Sequence, residues 1–202
     1  MPVRPDILFL DANVLYSACC RDLLLEAALN RLCHCRWSNQ VLSEVRTALL
    51  RQRPDLRPPQ VNRLFDLLGL ACPEALNEVR PRRSLRLPKL IDESDAHVIS
   101  AANAAGADVI VTFNLRHFPS HVLKPLGIKA LSPDRWLLAQ AEQRPDRLRA
   151  LVESCRQRLR HPPLSRNTHL KSLRSAGLPL LADFLEREPD DRWTRLAAQR
   201  GN

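Results

Sequence analysis

Ile7-Leu8-Phe9-Leu10-Asp11-Ala12-Asn13 is a short, β-prone apolar run that ends on an acid. The helical spacing Val14, Leu15, Ala18, Leu23, Leu24, Ala27 and Ala28 comes directly after it. Strand, turn and helix are therefore expected in that order. A carboxylate at the C-terminal end of a buried strand sits where open α/β sheets build their ligand sites. Two roles are open to Asp11 and Asn13: chemistry, or a cap on the helix that begins there. Further acids at Glu44, Asp92 and Asp95 could meet Asp11 in space, and they tip the balance towards chemistry.

Outward from this stretch, strand-like and helical patterns alternate. Cys33 to Trp37 reads as a second strand, and Ser38 is a suitable N-cap for a helix carrying Val41, Leu42, Val45, Ala48 and Leu49. The segment from Pro54 to Pro59 ends that helix. Pro58 and Pro59 launch another on Val61, Leu64, Phe65, Leu67 and Leu68. An arginine-rich loop follows, with Arg80, Arg82, Arg83, Arg86 and Lys89. Asp92 to Ala105 reads as a helix with the small face Ala101, Ala102 and Ala105, and Gly106 closes it. Ala107 to Thr112 is the clearest buried strand, leading through Val109-Ile110-Val111 into Thr112-Phe113-Asn114. Ile128 to Leu131 reads as one more strand, and Pro133 starts a helix through Leu137, Leu138 and Ala141. The pattern predicts an α/β fold, an α/β/α sandwich with a central, mainly parallel sheet, over residues 1–143.

The composition shifts at Arg144. Residues 144–174 hold nine Lys or Arg against only Asp146 and Glu153, with helical spacing at Leu148, Leu151, Val152, Cys155 and Leu159. Two more helical stretches follow, around Leu170 and Leu173 and from Leu180 to Leu185. Residues 144–202 therefore read as a basic, helical C-terminal extension.

The net charge of +9 and pI of about 10.0 favour a polyanionic partner such as nucleic acid. Aromatics make up only 4% of the chain, so recognition should lean on phosphates and shape more than on stacked bases. The basic stretches Arg80 to Lys89 and Arg144 to Arg174 are candidates for phosphate contacts, or else a solvated face or a docking surface for a protein partner. The six cysteines form no CxxC pair and read as reduced, mostly buried thiols of a cytoplasmic protein. Cys33-His34-Cys35 lacks a second ligand pair for a metal site. Leu15-Tyr16-Ser17-Ala18-Cys19 mimics the end of a lipoprotein signal, but Asp6, Asp11 and Asn13 interrupt the apolar segment, so export is not expected. No run approaches a membrane span.

Glu44 lies one step aside from the stripe Val41, Val45 and Leu49, so its carboxylate should emerge at the edge of the core. Asp92 and Asp95 are three apart at a helix start and project from nearly one face, where they can also serve the helix dipole or the cap. Thr112 and Asn114 follow a buried strand, as Asp11 does. Four converging carboxylates repel unless they are protonated or bound to cations, and an oxygen-rich site suits Mg²⁺ or Mn²⁺. Such a site can activate water for in-line attack on a phosphodiester.

FLDANVLYSA, the helical WSNQVLSEV, the stretch DESDAHVISAANAAGADVIVTFN and the following Arg-His-Phe-Pro together resemble the PIN-domain nucleases, especially the VapC-like toxins of bacterial toxin–antitoxin modules. The resemblance covers about residues 6–135. It implies a metal-dependent endoribonuclease with a parallel sheet, acids grouped at the strand C-termini, and inhibition by a VapB-like antitoxin. By position Asp11, Glu44 and Asp95 are the three acids, and Thr112 is the hydroxyl that steadies the site. Many family members carry an acid at the position of Asn114. The amide there can orient water but adds no charge, which leaves Asp92 as a candidate fourth carboxylate. The extension is similar to that of longer VapC-like proteins, and members of the family commonly form homodimers.

Two other nuclease-fold roles are compatible with these residues: a housekeeping RNA-processing enzyme without an antitoxin, and a catalytically weak RNA-binding protein. A phosphatase of the haloacid dehalogenase type also begins with a strand-end acid, but it needs a second Asp two residues later, where this chain has Asn13.

Overall fold

The apolar run forms strand β1, Asp6–Leu10, in the computed structural model, which describes residues 4–76, 93–159 and 164–187. Leu8, Phe9 and Leu10 are fully buried, as a strand covered on both faces requires. Asp11 stops the strand and caps helix α1, Ala12–Tyr16. The residues expected as one helix then divide. Ser17 takes an extended backbone, with φ −70° and ψ 107°, and α2, Ala18–Leu29, begins beyond it. Apolar spacing runs through this break and so conceals it. The buried Arg21 guanidinium donates to Leu15 O at 2.9 Å, occupying a carbonyl at the end of α1.

Strand β2, Cys33–Arg36, turns Cys33 and Cys35 inward and His34 outward, which separates the thiols from the imidazole. Helix α3, Asn39–Gln52, starts where Ser38 Oγ accepts from Val41 N at 3.2 Å, and α4, Pro58–Ala71, starts on its paired prolines. Helix α5, Glu93–Ala104, closes at Gly106, whose φ of 64° is left-handed. Strand β3, Val109–Val111, the short helix α6, Ser120–Leu123, strand β4, Lys129–Leu131, and helix α7, Pro133–Gln143, complete the alternating part.

The sheet order is β2-β1-β3-β4 and every pair is parallel. After β1 the chain moves to β2 on one side, and after β3 it moves to β4 on the other. The order therefore reverses between β1 and β3, and a crevice opens beyond their C-terminal ends. Leu10 pairs in register with Val111, which places Asp11 and Thr112 side by side at that crevice.

Helices α8, Pro145–Arg158, α9, Arg166–Ser175, and α10, Pro179–Glu186, follow, and their buried Leu148, Leu151, Leu173, Leu181 and Leu185 join the same core as the sheet. The seam is also polar. Asp134 on α7 accepts from Leu180 N and Leu181 N at 3.0 and 2.9 Å, capping α10, and Trp136 Nε1 donates to Asp6 Oδ2 at 3.0 Å. Several arginines of the extension are committed to acids: Arg156 to Glu153 at 2.6 Å, Arg158 to Glu26 at 2.7 Å, and Arg174 to Asp183 and Glu186 at 2.8 and 2.6 Å. Cations held this way have less to offer a phosphate backbone.

All six cysteines are free thiols, and burial pushes Cys19 and Cys155 up to about 12 and Cys72 up to about 11. Among the described residues no helix is long and apolar enough to cross a membrane.

Candidate active site

Asp11 performs both roles that its position allows. Its Oδ1 accepts from Ala12 N at 2.7 Å as a helix cap, while its Oδ2 accepts from Thr112 Oγ1 and from Asn13 Nδ2, each at 2.7 Å. The same Asn13 nitrogen donates to Thr112 Oγ1 at 3.1 Å, and Asn13 Oδ1 accepts from Phe113 N at 3.1 Å. Asn114 N donates to Thr112 Oγ1 at 3.0 Å, so its backbone joins the network while the residue as a whole is exposed. Thr112 is fully buried and Asp11 is 8% exposed. The two strand ends are thus locked together around one carboxylate.

Glu44 comes from α3 and Asp95 from the first turn of α5. Burial pushes the Asp11 carboxyl above its ordinary range, opposed by the Thr112 and Ala12 hydrogen bonds, and the Asp95 charge pushes it further. Burial also raises Glu44. His97 counters that shift, and the charges of Asp11 and Asp95 add to it. Three acids from three elements therefore share one electrostatic neighbourhood. Asp92 and the loop from Arg80 to Lys89 lie outside the described residues.

Two histidines that sequence reasoning did not single out face these acids. His97 Nε2 lies 2.7 Å from Glu44 Oε1, yet neither ring nitrogen has a well-aligned hydrogen bond. His117 Nε2 accepts from Arg116 Nε at 3.0 Å, which leaves the proton on Nδ1, 3.1 Å from Asp95 Oδ2. Neither role was legible, because the partners lie on different elements far apart in the chain.

Asp11, Glu44 and Asp95 offer only hard oxygen atoms, the donor type that Mg²⁺ and Mn²⁺ prefer. Burial first, and their mutual repulsion second, raises Asp11 and Glu44, and a divalent cation relieves the repulsion. As placed, no three His, Cys, Asp or Glu side chains among the described residues converge on one ion. Each acid is turned instead to its own partner: Asp11 to Thr112 and Asn13, Glu44 to His97, and Asp95 to His117. The donor chemistry fits a divalent ion, and Glu44 and Asp95 must turn from their histidines towards Asp11 to share it. Asn114→Asp adds a carboxylate beside Thr112 and is expected to tighten Mn²⁺ binding severalfold by isothermal titration. Weaker binding would show that this side chain points away from the acids.

The strand-end acid cluster at the reversal of a parallel sheet defines the class: this chain belongs to the PIN domain family, whose model matches residues 8–116, more than half of its length. Residues 133–187, which hold α7 to α10, match the VapC50 C-terminal domain. Over 79 residues the chain is 40% identical to "Putative ribonuclease VapC50" of Mycobacterium tuberculosis, an alignment covering 39% of this chain and 47% of that protein. The match thus spans about half the length of this curated relative. No solved structure matches the chain significantly.

Proposed function

We propose that the chain is a metal-dependent endoribonuclease, the toxin of a VapBC-like pair, acting in the cytoplasm on RNA and held in check by a VapB-like antitoxin. The observation that carries this reading is the Asp11–Thr112–Asn13 lock at the strand ends, with the Asp95 charge acting on Asp11 and the Asp11 charge acting on Glu44. The match of residues 133–187 to the VapC50 C-terminal domain and the 40% identity to a VapC50 protein support the toxin assignment.

In this mechanism Asp11, Glu44 and Asp95 hold Mg²⁺ or Mn²⁺, with Asp92 as a candidate fourth ligand. The ion, when bound, supplies Lewis acidity towards the phosphodiester and the means of activating water. Thr112 and Asn13 fix the rotamer of Asp11 through its Oδ2, so the carboxylate does not have to be ordered when substrate arrives. His117, itself oriented by Arg116, is the partner that Asp95 exchanges for the ion. Asn114 orients water at the rim. Hydrolysis leaves a 5′-phosphate and a 3′-hydroxyl.

Mapping of RNA 5′-phosphate ends after brief induction tests activity and substrate together. In vitro, EDTA stops cleavage and Mg²⁺ or Mn²⁺ restores it, and full activity in EDTA after exhaustive dialysis would refute the mechanism. The metal requirement also depends on pH. Because Asp11 and Glu44 titrate above the ordinary carboxylate range, protons begin to displace the ion at a higher pH than they would from exposed acids. The Mn²⁺ concentration for half-maximal cleavage therefore rises as the pH falls towards that range. A requirement that stays flat down to pH about 4, near the ordinary carboxylate value, would contradict this.

A further inference from the structure

We propose that Phe113 is a stacking platform for one unpaired nucleobase of the RNA beside the scissile phosphate, an inference that rests on the ribonuclease reading. Phe113 is the one aromatic among the exposed large apolar side chains of the described residues, at 37% exposure. It stands between the two residues whose backbone and hydroxyl serve Asp11. Thr112 donates to that carboxylate, and Asn114 N donates to Thr112. Its own N–H is held by Asn13 Oδ1 at 3.1 Å, so the ring is carried on backbone that is fixed to the acid cluster.

The ring is also backed from behind. Gly177 lies in the turn that ends α9, where Gly177 N donates to Arg174 O and Leu178 N to Leu173 O, each at 3.0 Å. Its φ of 82° suits glycine, and a Cβ there would stand 2.9 Å from Phe113 Cε1 and 3.5 Å from Cζ. The absent side chain is therefore the space the ring occupies. One side of Phe113 rests against the turn after α9, the residue keeps 37% of its surface exposed, and its backbone follows Thr112 directly. A ring held in this way loses little freedom on binding. Every base offers a π-face, so the platform accepts any base, but only one that is unpaired. Recognition then adds a single stacked base to the phosphate contacts that the low aromatic content favours.

The test uses the full chain and a short single-stranded RNA with one mapped cleavage site. KM and kcat are compared for the wild type, Phe113→Ala, Phe113→Trp and Phe113→Leu, on intact RNA and on RNA made abasic at each nucleotide flanking the cut. Stacking is worth enough for Phe113→Ala to raise KM by about tenfold, with a smaller change in kcat. Phe113→Trp restores KM. Phe113→Leu keeps an apolar contact with Gly177, so it preserves the thermal unfolding temperature while showing the same raised KM. One abasic position costs the wild type this factor and costs Phe113→Ala nothing more. An unchanged KM in both Phe113→Ala and Phe113→Leu, or equal abasic penalties in wild type and variant, would overturn the proposal. A wild type that cuts no RNA with Mg²⁺ or Mn²⁺ would overturn the ribonuclease reading itself, and this inference with it.

Discussion

Asp11→Asn is expected to lower single-turnover RNA cleavage by roughly a hundredfold or more, the scale on which a metal-holding or charge-stabilising group acts. The change removes a charge and almost no volume from a carboxylate that Ala12, Asn13 and Thr112 all hydrogen-bond. Unchanged far-ultraviolet circular dichroism would show that the fold is retained. Glu44→Gln and Asp95→Asn should lose activity on the same scale, since each acid bears on the charge of Asp11 or shares its surroundings. Asp92→Asn separates two roles: a loss equal to that of Asp95→Asn makes Asp92 a fourth ligand, and near-normal cleavage leaves it to helix capping. Wild-type rates in Asp11→Asn would remove the acid cluster from the mechanism.

Trp136→Ala should be the most destabilising single change outside the site. The indole is 1% exposed, and its Nε1–H donates to Asp6 at the start of β1, so truncation opens a cavity and removes a hydrogen bond across the seam. Removing a buried aromatic of this size costs about 3–5 kcal/mol. For a domain near this length that corresponds to a fall in Tm on the order of ten degrees. Thermal melts followed by circular dichroism provide the measurement, and Trp136→Phe, which keeps much of the volume, should lose clearly less. A Trp136→Ala melt within about two degrees of wild type would be incompatible with a cost of that size.

Much of the fold is legible because local signals coincide with global ones. Ser38 caps α3, Pro58 and Pro133 begin helices, Gly106 ends one, and Val109-Ile110-Val111 is a strand buried on both faces. Asp11 and Thr112 could be read as strand-end groups for the same reason. Their meeting is expected from the family resemblance alone, since it depends on β1 lying between β2 and β3, which no local pattern encodes. The break at Ser17 is silent because Leu15 and Ala18 continue a helical spacing across it. His117 acquires its meaning from Arg116 on one side and Asp95 on the other, 22 residues away in sequence. The arginines of residues 144–174 suggest an appendage by charge. The leucines between them, buried in the common core, carry the opposite information.

That common core has a bearing on how the chain comes off the ribosome. Leu181, Ala182 and Leu185 are fully buried, and the backbone of α10 is tied to Asp134. Strand β1 lies between β2 and β3, both made after it, so its two neighbours exist together only once β3 has been made. The turn at Gly177 that backs Phe113 comes later still. A nascent chain can thus hold these acids and yet lack the packing that aligns them until α10 has emerged. Synthesis itself then delays the moment at which the strand-end acids are brought into line.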